Sequence, residues 1–90
     1  MKTSYQEFRQ ILAQVNDCAL AFIGNRKYDI SVCMVNFEGI EDFNCGVSVH
    51  IHYVDSGIAM SLDFATYHSE EENYAELKKL WDFVSENTEG

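Results

Sequence analysis

Two histidines one residue apart are the first candidates for chemistry in this chain. His50 and His52 stand in the segment GVSVHIHY, residues 46–53. Alternate side chains of a β-strand point to the same face, so both imidazoles would share one face. With Asp63 from a following strand, and His68 as a more distant fourth ligand, they could hold Zn²⁺. A small metal- or ligand-binding module using His50, His52 and Asp63 is one hypothesis. Two ordinary histidines on a solvent-facing strand are the other.

The remaining nucleophiles do not form a catalytic pattern. Cys18, Cys33 and Cys45 are odd in number and lack C-x-x-C spacing, which indicates reduced thiols in a cytoplasmic protein. Ser56 precedes a glycine but lies outside a G-x-S-x-G motif. The five glycines are scattered and form no phosphate-binding loop. We therefore expect a non-enzymatic protein without a cofactor.

The first element that could position these residues is a helix over residues 4–22. Ser4 is a suitable N-cap, Glu7 stands at the capping-box position, and Gly24 is a suitable stop. The apolar residues recur at intervals of three and four, which predicts one buried stripe. The stripe comprises Tyr5, Phe8, Ile11, Leu12, Val15, Cys18 or Ala19, and Phe22.

Three segments with period-two alternation then predict three strands. In the first, one face carries Tyr28, Ile30, Val32 and Met34, and the other carries Asp29, Ser31, Cys33, Val35 and Phe37. In the second, the apolar face carries Phe43, Cys45, Val47, Val49, Ile51 and Tyr53. In the third, it carries Ile58, Met60, Leu62 and Phe64.

A tight turn at Ser56–Gly57 would fix the register of the last two strands. It would pair Tyr53 with Met60, Ile51 with Leu62, and Val49 with Phe64. The same register predicts His50 opposite Asp63 and His52 opposite Ser61. The expected polar cluster on the open face of the sheet is His50, His52, Ser61 and Asp63.

A second helix closes the domain within residues 68–87. Ser69 is its expected cap, and Glu72 completes a capping box. The expected buried stripe is Tyr74, Leu77, Leu80, Trp81 and Val84. The predicted fold is α+β, in the order α-β-β-β-α: a three-stranded antiparallel meander with two helices packed on one face. Residues 1–90 would form a single compact domain.

Charge limits the classes of partner. Fifteen acidic residues against six basic ones give a net charge of −9. A surface of this sign repels nucleic acids and anionic membranes and favours a basic protein. The element order is also that of double-stranded RNA-binding domains, but those place lysines at the start of the last helix. This chain has SEEENY there, residues 69–74, so we reject that function.

The acidic residues are grouped along the chain. Two groups are the expected partner contacts: Glu38, Glu41 and Asp42 in the first hairpin, and Glu70, Glu71, Glu72 and Glu76 on the last helix. Exposed aromatic residues would add the apolar anchor that interfaces usually need, the candidates being Phe37, Tyr67 and Tyr74.

In size, charge, architecture and lack of catalytic residues, the chain resembles the small acidic inhibitors of phages and mobile elements, such as anti-CRISPR proteins and other DNA mimics. The resemblance implies a non-enzymatic inhibitor that binds a basic, nucleic-acid-binding surface, such as a nuclease complex in the host cytoplasm. An immunity or antitoxin-like protein that neutralises a basic nuclease toxin is the alternative. A homodimer is a further expectation, because a meander has two open edges.

Overall fold

The computed structural model describes residues 2–87, in which two helices flank three strands. Helix α1 is Tyr5–Leu20, strand β1 Tyr28–Glu38, strand β2 Phe43–Tyr53, strand β3 Ile58–Ala65 and helix α2 Glu70–Asn87. The strands form one antiparallel sheet in the order β1-β2-β3. The α-β-β-β-α prediction, a meander with the helices packed on the sheet, is confirmed.

Helix α1 begins and ends close to the predicted positions. The Ser4 hydroxyl accepts a hydrogen bond of 3.1 Å from the backbone N–H of Glu7, which satisfies one of the unpaired donors of the first turn. The helix ends at Leu20, two residues before the predicted end, and Gly24 follows with a φ of 77° that favours glycine. Its buried stripe is Phe8, Ile11, Val15 and Cys18.

The centre of the sheet and the two helices share one apolar core. Strand β2 alternates as predicted, with every second side chain buried along most of its length. Aromatic rings close one end of the core, where Phe83 of α2 lies 5.0 Å from Tyr28 and 6.4 Å from Phe22, measured between ring centroids. The strand and α2 residues of the core include Cys45, Val47, Val49, Ile51, Leu62, Phe64, Leu77 and Leu80.

The predicted register of β2 and β3 is wrong by two residues. Val49 lies opposite Leu62 and Ile51 opposite Met60, not opposite Phe64 and Leu62. The strands stop at Tyr53 and Ile58 and leave a connection wider than a two-residue turn, and the pairing is irregular next to Ile51. A shift of two residues keeps each side chain on its face, so the apolar core is unaffected.

The helices cover the sheet unevenly. The two faces of β1 are those predicted, since Tyr28, Ile30, Val32 and Met34 lie opposite the apolar residues of β2. However, Val32 is 48% exposed and Met34 is 61% exposed. The core face of β1 is therefore buried at its start and open towards its end.

Helix α2 buries a different stripe from the one predicted. Tyr74 and Trp81 are 38% and 40% exposed, whereas Asn73 is fully buried next to Leu77. A buried carboxamide is stable only when its donors and acceptor are paired. The side chain of Asn73 bonds the backbone of Ala65 and the hydroxyl of Thr3, and so ties α2 to β3 and to the segment before α1.

Candidate functional site

The open face of the sheet carries both histidines, but not in the predicted cluster. His50 lies opposite Ser61, and Asp63 lies opposite Ser48, whose hydroxyl donates a hydrogen bond of 3.2 Å to its carboxylate. The Nε2 atom of His52 lies 3.4 Å from the hydroxyl oxygen of Ser31 on β1. The predicted pairs of His50 with Asp63 and of His52 with Ser61 are therefore wrong, because they depended on the two-residue turn.

The geometry does not favour a metal site. The imidazole centroids of His50 and His52 are 6.1 Å apart. Across residues 2–87, no group of three or more His, Cys, Asp or Glu side chains is arranged to hold a metal ion. His68 lies elsewhere, in a shallow groove of about 310 Å³ shared with Asp63, Glu72 and Glu76, and its buried Nδ1 has no hydrogen-bond partner.

Carboxylates from two segments lie at the same end of the molecule. The β1–β2 turn and the loop between β3 and α2 meet there: Glu41 and Asp42 line a cavity of about 280 Å³ together with Tyr67. Tyr67 stands three residues before α2 begins, and the first turn of α2 carries three glutamates. We call this surface the acidic end; it comprises Tyr67 and six exposed acidic residues, Glu38, Glu41, Asp42, Glu70, Glu71 and Glu72.

Short-range hydrogen bonds hold the first of these segments in shape. The backbone N–H of Gly39 donates to the carbonyl of Asp42 at 2.7 Å, and the side-chain amide of Asn44 donates to the same carbonyl at 3.2 Å. A Cβ atom at Gly39 would lie 2.8 Å from Nδ2 of Asn44 and 3.1 Å from the carbonyl oxygen of Asp42, so a larger residue there would displace the Asn44 amide. The carboxylates of the turn are thus carried on a fixed backbone.

A capping box holds the second segment. The N–H of Glu72 donates to the Ser69 hydroxyl at 3.1 Å, and the Glu72 carboxylate accepts from the N–H of Ser69 at 3.2 Å. The pKa of Glu72 is lowered, most by the hydrogen bond from the Ser69 backbone and next by the one from the Ser69 side chain. The nearby charges of His68 and Lys2 lower it further. Glu72 therefore stays ionised to lower pH than an ordinary glutamate.

Two apolar side chains are exposed beside these carboxylates. Tyr67 is 52% exposed, and Ile40 at the tip of the turn is completely exposed. Phe37 is less exposed than predicted, because its ring packs edge-to-face against Tyr67 at 6.1 Å. Ile40 was not among the predicted anchors, although a single apolar residue inside the acidic turn EGIED is a visible signal.

Two further predicted contact residues form internal bonds. Glu76 is half-buried, accepts a hydrogen bond of 3.2 Å from the N–H of Asp63 and pairs with Lys79 at 2.7 Å. Tyr74 is exposed, as expected of a partner contact and contrary to the predicted buried stripe, but its hydroxyl donates to the carboxylate of Glu7 on α1, and this bond raises its pKa. These residues link structural elements and lie outside the acidic end.

The three cysteines are free and differ in exposure. Burial, followed by the charge of Asp17, raises the pKa of the Cys18 thiol to about 11, and burial raises that of Cys45. Cys33 is exposed on β1. A thiol that stays protonated is a poor nucleophile, so Cys18 and Cys45 are core residues rather than reactive ones.

Comparisons with protein-family models, with curated proteins and with solved structures find no match to this chain. None of the helices in residues 2–87 combines the length and the apolar character required to cross a membrane. The candidate function therefore depends on the surface described above.

Proposed function

We propose that this protein is a non-enzymatic inhibitor whose acidic end binds a basic, nucleic-acid-binding surface of another protein. One observation carries the proposal: Glu41 and Asp42 of the β1–β2 turn line a cavity with the exposed Tyr67, which stands three residues before the glutamates of the first turn of α2. Two segments that are separate in the sequence thus contribute carboxylates to the same end of the molecule.

The charge of the chain supports this interaction. A net charge of −9 on 90 residues destabilises the compact state through self-repulsion, and it also attracts positively charged partners over long distances. Capping and turn hydrogen bonds hold the backbone beneath the carboxylates before binding, so less backbone entropy is lost on association. Fixed carboxylates can occupy positions that phosphates take in a basic groove, as in the nucleic-acid mimics that this chain resembles.

Ionic contacts alone seldom give a stable interface, and the acidic end also supplies apolar area. Ile40 and Tyr67 line one shallow cavity, whose other lining residues are Glu41, Asp42 and Asn44. Interfaces usually concentrate their binding energy in a few such anchors surrounded by polar groups. We propose that Tyr67 and Ile40 are the anchors and that the carboxylates guide and orient the partner.

An anti-CRISPR or other anti-defence protein in the host cytoplasm would use this surface against a nuclease complex. An immunity protein would use it against a single basic nuclease toxin. Both functions require the same chemistry, so the identity of the captured protein distinguishes them.

The test begins with capture of the partner from cells that carry the gene, followed by purification of that partner alone. Binding is then measured over a range of salt concentrations. The variant Glu38→Gln/Glu41→Gln/Asp42→Asn is compared with Asp17→Asn/Asp55→Asn/Glu86→Gln, which removes the same number of charges from exposed positions outside the acidic end.

We expect the first variant to weaken binding by about 10- to 100-fold and the second by less than about 3-fold. Added salt should weaken the wild-type complex steeply and the first variant less steeply. Equal losses for the two variants, or an affinity independent of salt, would show that the acidic end is not the binding surface. Ile40→Ser and Tyr67→Ser then test the apolar anchors.

A further inference from the structure

The two edges of the sheet differ in whether their outward backbone groups have hydrogen-bond partners. At the β3 edge they have partners. The N–H of Thr66 donates to the carbonyl of Cys45, so in this register Asp63 and Ala65 direct their backbone groups away from β2. Side chains of α2 satisfy them. Asn73 bonds both the N–H and the carbonyl of Ala65, at 3.1 and 2.9 Å, and Glu76 accepts from the N–H of Asp63 at 3.2 Å.

The edge at β1 is open. The carbonyl of Lys27 accepts from the N–H of Val54, and the N–H of Gly39 donates to the carbonyl of Asp42, so odd-numbered residues of β1 face β2. The even-numbered residues direct their N–H and carbonyl groups outward. Within residues 2–87, no other segment forms a hydrogen bond with the outward backbone groups of Ile30, Val32, Met34 and Asn36.

This open edge is also apolar. Val32, Met34 and Val35 are each about half exposed or more, and a groove of about 200 Å³ between α1 and the sheet is lined by Leu12, Val32 and Met34 among others. No charged residue occurs between Asp29 and Glu38. Edge strands of stable monomers usually carry charges, prolines or bulges that prevent pairing, and the interior of β1 has no charge or proline and pairs with β2 without a register shift.

The charges at the two ends of β1 indicate what pairs with it. Exposed Arg26 and Lys27 precede the strand and exposed Asp29 is its second residue. Exposed Glu38 is its last residue, and exposed Glu41 and Asp42 follow it. An antiparallel copy of the same strand brings the basic end of each chain beside the acidic end of the other. The edge is thus complementary to itself in both hydrogen bonding and charge.

We propose that β1 pairs antiparallel with β1 of a second copy, so that the two meanders form one continuous six-stranded sheet. Only one symmetric register pairs the whole strand Tyr28–Glu38, and its two-fold axis passes beside Cys33. In that register Val32 hydrogen-bonds with Met34 of the second copy. The exposed apolar side chains of the two copies then cover each other. The inference does not depend on the proposed inhibitory function.

The same register places Cys33 directly opposite Cys33 of the second copy. This is a non-hydrogen-bonded antiparallel pair, in which Cα atoms lie about 4.5 Å apart, within the range that a disulfide requires. Diamide would join the two thiols, taking up their two protons and two electrons as it is reduced to the hydrazine. Formation of the cross-link reports the register of the two β1 strands.

Sedimentation of the reduced protein from micromolar to near-millimolar concentration tests the dimer. We expect reversible dimerisation, weakened at least about 100-fold by Met34→Lys, because the new charge would be buried unpaired in the seam. The matched control is Ile58→Lys on β3, since Met34 and Ile58 are 61% and 58% exposed. Diamide should cross-link the wild type but not Cys33→Ser.

A monomer at every concentration overturns the proposal and would leave the edge for an extended segment of another protein. A dimer that withstands Met34→Lys places the interface elsewhere and also overturns it. A dimer that is sensitive to Met34→Lys but does not cross-link through Cys33 overturns the proposed register. Met34→Lys retains every residue of the acidic end, so binding of the basic partner can be measured separately on this variant.

Discussion

The side chain of Asn73 bonds the backbone of Ala65 in the way that a neighbouring strand would. Its Oδ1 accepts from the N–H of Ala65 at 3.1 Å and its Nδ2 donates to the carbonyl at 2.9 Å. The same amide group donates to the Thr3 hydroxyl, which in turn donates to the carbonyl of His68 at 2.7 Å. One buried side chain thus connects β3, α2 and the residues that precede α1.

Replacing Asn73 with Ala should reduce the free energy of unfolding by about 3 kcal/mol, because buried backbone groups of Ala65 lose their partners. Urea denaturation measures the change. The control is Asn16→Ala on the exposed side of α1, which should alter stability by no more than about 0.5 kcal/mol. Similar unfolding midpoints for the two variants would mean that the Asn73 bonds contribute little.

Paired cysteine substitutions can test the register of β2 and β3. Ser48 and Asp63 form a directly opposed pair, so Ser48→Cys/Asp63→Cys should form a disulfide readily on oxidation. His50→Cys/Asp63→Cys places the cysteines diagonally and should not. Both are made in a Cys33→Ser background, because Cys33 lies opposite Ser48 on β1. Thiol counting gives the result, and the reverse preference would support the register expected from a two-residue turn.

Alkylation should distinguish the three thiols. A pKa of about 11 for Cys18, against an ordinary 9.0, lowers its thiolate fraction at neutral pH about 100-fold, and burial adds a steric barrier. We expect iodoacetamide to modify Cys33 first in the reduced native protein, and to modify Cys18 and Cys45 only after denaturation. Mass spectrometry of peptides identifies the site. Early modification of Cys18 would contradict its burial.

The capping box of α2 should make stability depend on pH through Glu72. The folded pKa of Glu72 is lowered from 4.5, chiefly by hydrogen bonds from Ser69. Its contribution is therefore complete above pH 4.5 and is lost as the pH falls through the folded pKa. The difference in stability between wild type and Glu72→Gln should be larger near neutral pH than at about pH 3.

The matched control for this effect is Glu71→Gln, which removes the same charge without breaking the capping box. Its stability difference from wild type should vary less with pH. Ser69→Ala should cost about 1 kcal/mol, because the first turn loses its cap. Equal pH dependence for Glu71→Gln and Glu72→Gln would assign the effect to general charge and not to the Ser69 bonds.

Local sequence signals were sufficient for the elements of this fold. The alternation of β2, the N-cap at Ser4 and the capping box at Ser69 arise from neighbouring residues, and the structure confirms them. The capping box predicted for Glu7 is not formed, because its carboxylate accepts from the Tyr74 hydroxyl instead. The register of β3 depended on the geometry of the turn after Tyr53, which composition does not determine. The shortest possible turn would place Asp63 opposite His50, whereas the longer connection places it opposite Ser48.

Long-range packing was not visible in the sequence. The aromatic residues of α2 predict a buried stripe that includes Tyr74, yet Tyr74 is exposed and Asn73 is buried. Asn73 is buried because its hydrogen-bond partners lie in β3 and before α1. The exposure of Met34 likewise depends on where the helices lie over the sheet. The acidic groups are visible in the sequence, but the position of Glu41 and Asp42 beside Tyr67 depends on the fold.

Along β1, backbone amides alternate between bonding β2 and facing outward, so hydrogen exchange of this strand reports whether its open edge is paired. Amide protons at odd positions such as Cys33 are held by β2, whereas those at even positions such as Val32 and Met34 face outward. In isolated molecules, deuterium uptake should therefore switch between slow and fast from one residue to the next along the strand. Self-association would slow deuterium uptake at the even positions and remove the difference from the odd positions. One labelling series over protein concentration would therefore measure the pairing of this edge.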